Sequence, residues 1–207
     1  MFRRSTALLL AAAYAALAIL VAAGTLAGLD QWAVDHLMPG GHGASAPPTA
    51  LEALVPLYHT SWSRPLDLVA NVVTVPAQAL VSSALAGVCF LLLLRGGRRR
   101  AALAWAAAWL AGNGVEVLCK SVLARPLLHR HGLPLAAFES SFPSGHTLRA
   151  VVLAAAAATV RPGARLWLAA WAAATVVLLE ADGLHVPSDL AGGLLLAGLA
   201  VVLVRRV

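Results

Sequence analysis

Charge is what this chain has least of. Only 12% of its 207 residues are Asp, Glu, Lys or Arg, about half of the roughly 25% that a soluble domain carries. Aromatic residues make up 6%, and there are two cysteines, Cys89 and Cys119. Both cysteines fall inside apolar runs, which excludes a disulfide framework and a metal-type cysteine spacing. Internal repeats are absent, and low complexity goes no further than alanine and leucine enrichment. What fills the chain is hydrophobic: 60% of its residues, with a mean hydropathy of +0.82. The apolar runs are long enough to span a bilayer, so the sequence reads as an integral membrane protein. The net charge of +6 does not point to nucleic acid. The basic residues stand between apolar runs, where membrane topology accounts for them, and no nucleic-acid partner is expected.

The expected fold is all-α, a single polytopic domain over residues 1–207 with six transmembrane helices in a bundle. The spans fall at about 7–29, 66–94, 101–123, 147–160, 166–179 and 190–204. The first apolar run, at 23 residues, exceeds the core of about 7–15 residues typical of a cleaved signal peptide, so it reads as an anchor. Residues 30–64 are polar and broken by Gly40, Gly41, Gly43, Pro47 and Pro48, which predicts an external loop. Residues 51–58 within it have the pattern of a short amphipathic helix on the membrane surface. Pro76 predicts a kink in the second span.

An even number of spans puts both termini on one side. Arg3, Arg4, Arg95, Arg98, Arg99, Arg100, Arg161, Arg165, Arg205 and Arg206 share that side, and no acidic residue accompanies them. The positive-inside rule makes it the cytoplasmic side of a cell membrane. All nine acidic residues and all seven histidines fall on the other half, with Arg64, Lys120, Arg125, Arg130 and Arg149. Titratable chemistry is therefore expected on the extracytoplasmic face.

Three stretches meet there, within residues 113–193. One is Lys120-Ser-Val-Leu-Ala-Arg125-Pro126, at the end of the third span. Another is Pro143-Ser144-Gly145-His146, at the start of the fourth. The last is His185-Val-Pro-Ser-Asp189, at the start of the sixth. In the middle stretch Pro143 has a fixed φ suited to a helix start, Ser144 is a natural N-cap, and Gly145 permits close approach of a ligand. His146 then sits in a first helical turn, where free N–H groups and the helix dipole favour an anion. His185 and Asp189 are four apart and share a helical face, so the carboxylate can fix the imidazole's tautomer.

These residues resemble the motifs of the type-2 phosphatidic acid phosphatase superfamily, which also includes the soluble vanadium haloperoxidases. Its three motifs are Lys-x6-Arg-Pro, Pro-Ser-Gly-His and Ser-Arg-x5-His-x3-Asp. The second is intact here, His185 and Asp189 match the third, and Lys120 matches the first. The resemblance implies a metal-free, cofactor-free phosphohistidine mechanism. His185 would be the nucleophile, oriented by Asp189, and His146 the acid for the leaving oxygen. Lys120 with the Ser144–Gly145 turn would hold the phosphoryl oxygens. The implied substrate is a polyprenyl or glycerophospholipid phosphate, with membrane lipids as the surroundings.

The motif arginines are displaced. Counting from Lys120, the first Arg-Pro falls on Leu127 and Leu128, while Arg125–Pro126 stands two residues early. Counting back from His185, the third-motif Ser-Arg falls on Leu178 and Leu179, and no arginine lies between Arg165 and Arg205. Arg125 and Arg149 are the candidate substitutes in the phosphate site, with Arg130 a further one; Arg149, three after His146, shares its helical face. Two other functions stay open. One is a lipid head-group phosphotransferase similar to sphingolipid synthases, which keep a Ser-Gly-His-Thr and a His-x3-Asp without the arginine clamp. The other is a non-catalytic lipid-binding relative.

Overall fold

The computed structural model describes residues 2–38 and 65–206. The expected external loop beyond Met38 and the amphipathic helix at 51–58 lie outside them. Eight α-helices occur among the described residues: α1 (Phe2–Ala22), α2 (Ala27–His36), α3 (Pro65–Thr74), α4 (Ala79–Arg95), α5 (Arg99–Val122), α6 (Gly145–Val160), α7 (Arg165–Ala181) and α8 (Pro187–Val204). The one sheet is a two-residue ribbon, β1 (His129–Arg130) antiparallel to β2 (Leu133–Pro134). The all-α expectation holds.

By length and composition four helices can cross a membrane: Ser5–Ala22, Arg99–Val122, Pro162–Ala181 and Pro187–Val204. The bent pair Leu68–Ala77 and Ala79–Arg95 makes a fifth if it is one span. Helix α6 has 16 residues, about 24 Å at about 1.5 Å per residue, short of a hydrocarbon core of about 30 Å. It is the central element, packed against α4, α5, α7 and α8. Its buried face (Leu148, Val152, Leu153 and Ala156) joins Trp105 and Trp109 of α5 and Leu196 and Ala197 of α8 in the main core. Large apolar side chains on the outer helices, among them Leu8, Ile19, Leu110, Val117 and Leu166, face outward, as lipid contact requires.

The first apolar run is not one helix to residue 29. Helix α1 stops at Ala22, and Gly24 takes φ +73°. Thr25 N–H donates to Leu20 O and Gly24 N–H to Val21 O, the paired bonds of a Schellman C-cap, which needs a left-handed residue that glycine supplies without strain. A Cβ on Gly24 would also meet Pro126 Cγ at 2.7 Å. The turn therefore docks on the Arg125–Pro126 segment and sends α2 across the same end of the bundle.

The predicted kink at Pro76 is a full break. A 3₁₀ turn, Val75–Ala77, separates α3 from α4, and the two axes differ by 51°. Backbone groups released inside a membrane must find partners. Here Trp171 Nε1 donates to Val73 O at 2.9 Å and Arg149 Nε to Ala77 O at 3.0 Å.

Candidate active site

Four elements bring chemistry to one end of the bundle. The last turns of α5 carry Glu116 and Lys120, the segment after α5 carries Arg125, α6 begins at the Ser144–Gly145 turn, and α8 begins beside His185. The N-terminal helix α2 adds Asp30.

The start of α6 follows from its sequence. Ser144 has extended φ/ψ and its Oγ accepts from Thr147 N–H at 3.2 Å, satisfying one of the donors that every helix start leaves open. Ser144 N–H donates to Asp189 O at 3.0 Å. A Cβ on Gly193 would meet Ser144 O at 2.6 Å, so a glycine in α8 lets the two helix starts touch. This locks the spacing between the Ser144–His146 turn and the His185–Asp189 pair.

His146 and His185 face each other edge to face, with ring centroids 5.9 Å apart and planes at 61°. His185 is buried, and its Nδ1 lies 3.3 Å from Asp189 Oδ2. With the Nδ1 proton directed to Asp189, the free lone pair is on Nε2, the arrangement of a nucleophile held in one tautomer. Asp189 is fully buried, and its other oxygen, Oδ1, is bound by Arg125 Nη2.

Arg125, two residues early against the family spacing, lies in the middle of this network. Its Nη1 reaches Asp30 Oδ2 at 3.0 Å, and its Nη2 also reaches Ser188 Oγ at 3.1 Å. Asp30 in turn accepts from Ser188 N–H at 3.1 Å and Ser188 Oγ at 2.7 Å. Burial pushes the Asp30 carboxyl above its ordinary range, against the downward pull of Ser188 and Arg125. Arg125 is 6% exposed, and its Nε is left without a partner among the described residues.

Lys120 and Arg149 share one carboxylate. Lys120 Nζ lies 2.8 Å from Glu116 Oε1, and Arg149 Nη1 lies 2.6 Å from Glu116 Oε2 and 3.1 Å from Asn113 Oδ1. The chain thus brings Arg149 beside Lys120, the single lysine of the sequence, and ties both to Glu116. Arg130 is directed elsewhere: its Nη2 donates to Val34 O at 2.6 Å and Met38 O at 2.7 Å, at the end of α2. Leu179, on the position of the absent third-motif arginine, is fully buried.

Sequence reading missed Glu116, Asp30 and Ser188. Glu116 carried a local signal, since it precedes Lys120 by four residues on one helix and such pairs meet. Asp30 carried none, because its partners lie 95 and 158 residues away along the chain. No group of three or more His, Cys, Asp or Glu side chains suited to a metal occurs among the described residues.

Residues 120–207 match the sequence pattern of the PAP2 superfamily. The match begins on Lys120 and takes in Arg125, the Ser144–His146 turn and the His185–Asp189 pair, while Asp30 and Glu116 stand before it. Comparison with curated proteins and with solved structures gave no match.

Proposed function

We propose that the chain is a member of the PAP2 superfamily, whose sequence pattern residues 120–207 match, and that it hydrolyses a lipid phosphate at the extracytoplasmic membrane face through a phosphohistidine. The observation that carries this reading is the pairing of His146 with His185 across 5.9 Å, with His185 Nδ1 3.3 Å from Asp189 Oδ2. Nε2 of His185 attacks phosphorus, the P–O ester bond breaks, and His146 gives a proton to the departing lipid alcohol. Water then attacks the phosphohistidine, His146 takes the water's proton, and the P–N bond breaks to release inorganic phosphate. Phosphoryl transfer asks mainly for positioning and for stabilisation of the equatorial oxygens. In this reading Lys120, Arg149 and the N–H groups at the start of α6 supply that stabilisation.

The site end of the bundle suits a polyprenyl or glycerophospholipid phosphate, whose tail lies among the helices while its phosphate stays at the end. The assay is release of inorganic phosphate by the purified full chain from a panel of such lipids. One observation favours transfer to an alcohol as a second reading. Lys120, Arg125 and Arg149 are matched by Glu116, Asp30 and Asp189, three charges of each sign, and such a balance suits a monoanionic phosphodiester better than a dianionic monoester. Alcohol acceptors added to the same assay separate the two: transfer yields a new phospholipid in place of free phosphate.

His146→Ala is expected to discriminate between substrates. General-acid assistance is typically worth about 10²–10⁴-fold and matters little for a leaving group that departs unaided. Turnover of a nitrophenyl phosphate should therefore fall far less than turnover of an alkyl lipid phosphate. Equal losses on both would count against His146 as the acid.

Topology has its own test. Gly163 and Ser140 are both exposed. Cysteines placed there singly, in a background lacking Cys89 and Cys119, should differ in intact cells. Ser140→Cys should react with an impermeant thiol reagent, and Gly163→Cys should react only after permeabilisation. Labelling of Gly163→Cys in intact cells would reverse the orientation.

A further inference from the structure

Both cations that would recognise a phosphoryl group at the start of α6 are engaged by one side chain, Glu116. Its two oxygens each take a cation, Lys120 Nζ on Oε1 at 2.8 Å and Arg149 Nη1 on Oε2 at 2.6 Å. Its carboxylate also lies on Gly145, the first residue of α6. A Cβ there would meet Oε1 at 1.8 Å, Cδ at 2.3 Å and Oε2 at 2.5 Å. A helix start is where N–H groups and the dipole favour an anion. Gly145 is needed at this position because only a residue without a Cβ leaves room for an oxyanion so close to the backbone. Glu116 is 4% exposed, so this anion is held in a largely desolvated place, where charge pairs are strong.

We propose that Glu116 is a built-in competitor for the phosphoryl cradle: its carboxylate holds Lys120, Arg149 and the Gly145 face, and a substrate phosphate binds by displacing it. This rests on the phosphatase reading for the identity of the competing anion. The alternative is that Glu116 stays put and positions the two cations under the phosphate. The two differ in sign. A competitor, once neutralised, leaves phosphate bound more tightly; a positioning residue, once neutralised, leaves it bound more weakly. The same displacement makes the cradle selective, since an anion must replace a carboxylate's contacts with both cations to enter.

The test is binding of inorganic phosphate to the purified full chain by titration calorimetry, beside phosphate release from a lipid phosphate. Glu116→Gln keeps the shape and removes the charge, and should lower the Kd for inorganic phosphate at least about tenfold. Glu116→Asp keeps the charge but withdraws it from Gly145, and should fall between wild type and Glu116→Gln. Glu139→Gln, on an exposed loop residue, should leave Kd unchanged and controls for charge at a distance. A Kd unchanged or raised in both Glu116 variants overturns the proposal, as does absence of phosphate binding in wild type and variants alike. Should Glu116→Gln fail to fold, Glu116→Asp carries the test, and loss of fold in both assigns Glu116 to structure and overturns the proposal. Wild type that releases no phosphate from lipids while Glu116→Gln binds phosphate more tightly sinks the hydrolase reading and leaves the competitor standing. Wild type that is active while both variants bind phosphate no better does the reverse.

Discussion

His185→Ala is expected to reduce phosphate release from a lipid phosphate to background, a fall of about 10⁴-fold or more, the scale on which removal of a covalent nucleophile acts in hydrolases. The cause is specific. His185 is buried with Nδ1 on Asp189, so one nitrogen is spoken for and Nε2 is left for phosphorus, with the His146 ring 5.9 Å away between centroids. Asp189→Asn should be less severe, because the ring stays present but loses its tautomer control. Circular dichroism and gel filtration of His185→Ala should match wild type, since the imidazole leaves a site lined by polar groups. A His185→Ala protein that retains a tenth of wild-type turnover would remove His185 from the nucleophile role.

Arg125→Ala is expected to have the largest effect on stability. Arg125 joins Asp30 and Asp189 in a desolvated cluster, with side chains 3% exposed or less. Removing the cation leaves two buried carboxylates uncompensated, and breaking a buried pair in this way costs about 3–5 kcal/mol. At about 2–4 °C per kcal/mol for a chain of this size, the apparent Tm in detergent should fall by about 6–20 °C. Activity should fall with it, because Asp189 loses one of the contacts that aim it at His185. Arg125→Lys should recover part of the loss, since it restores the charge but not the planar fork that reaches Asp30, Ser188 and Asp189 together. Arg125→Ala combined with Asp30→Asn should be less destabilised than the sum of the two single changes, because the second change removes one of the stranded charges. An Arg125→Ala protein with wild-type Tm would mean that the cluster is not a buried ion network.

The parts of this architecture legible in the sequence are those set by local chemistry. Ser144 caps α6 as its residue type predicts. Pro76 interrupts the second apolar run, as a residue without a backbone donor must. His185 and Asp189 meet because they are four apart. The break after Ala22 was hidden by composition: residues 7–29 are apolar throughout, and only the docking of Gly24 against Pro126 shows why the helix turns there. The fourth expected span shows the same limit. Its apolar run is real, but its helix starts at the site rather than beyond it, leaving 16 residues. The motif spacing misled in another way. Arg125 is two residues early by count, yet it reaches Asp189 because the segment after α5 is extended rather than helical. The charge it meets from Asp30 comes from a distant helix, and no local pattern records such a contact.

The central proposal is that His185 carries the transferred phosphoryl group, and trapping the phosphoenzyme tests that most directly. The purified chain is mixed with a ³²P-labelled lipid phosphate and quenched in alkali, which preserves a P–N bond that acid destroys. The account predicts alkali-stable, acid-labile label on wild type at His185 and none on His185→Ala. Phosphate release by wild type without such label, or equal label on His185→Ala, would contradict it.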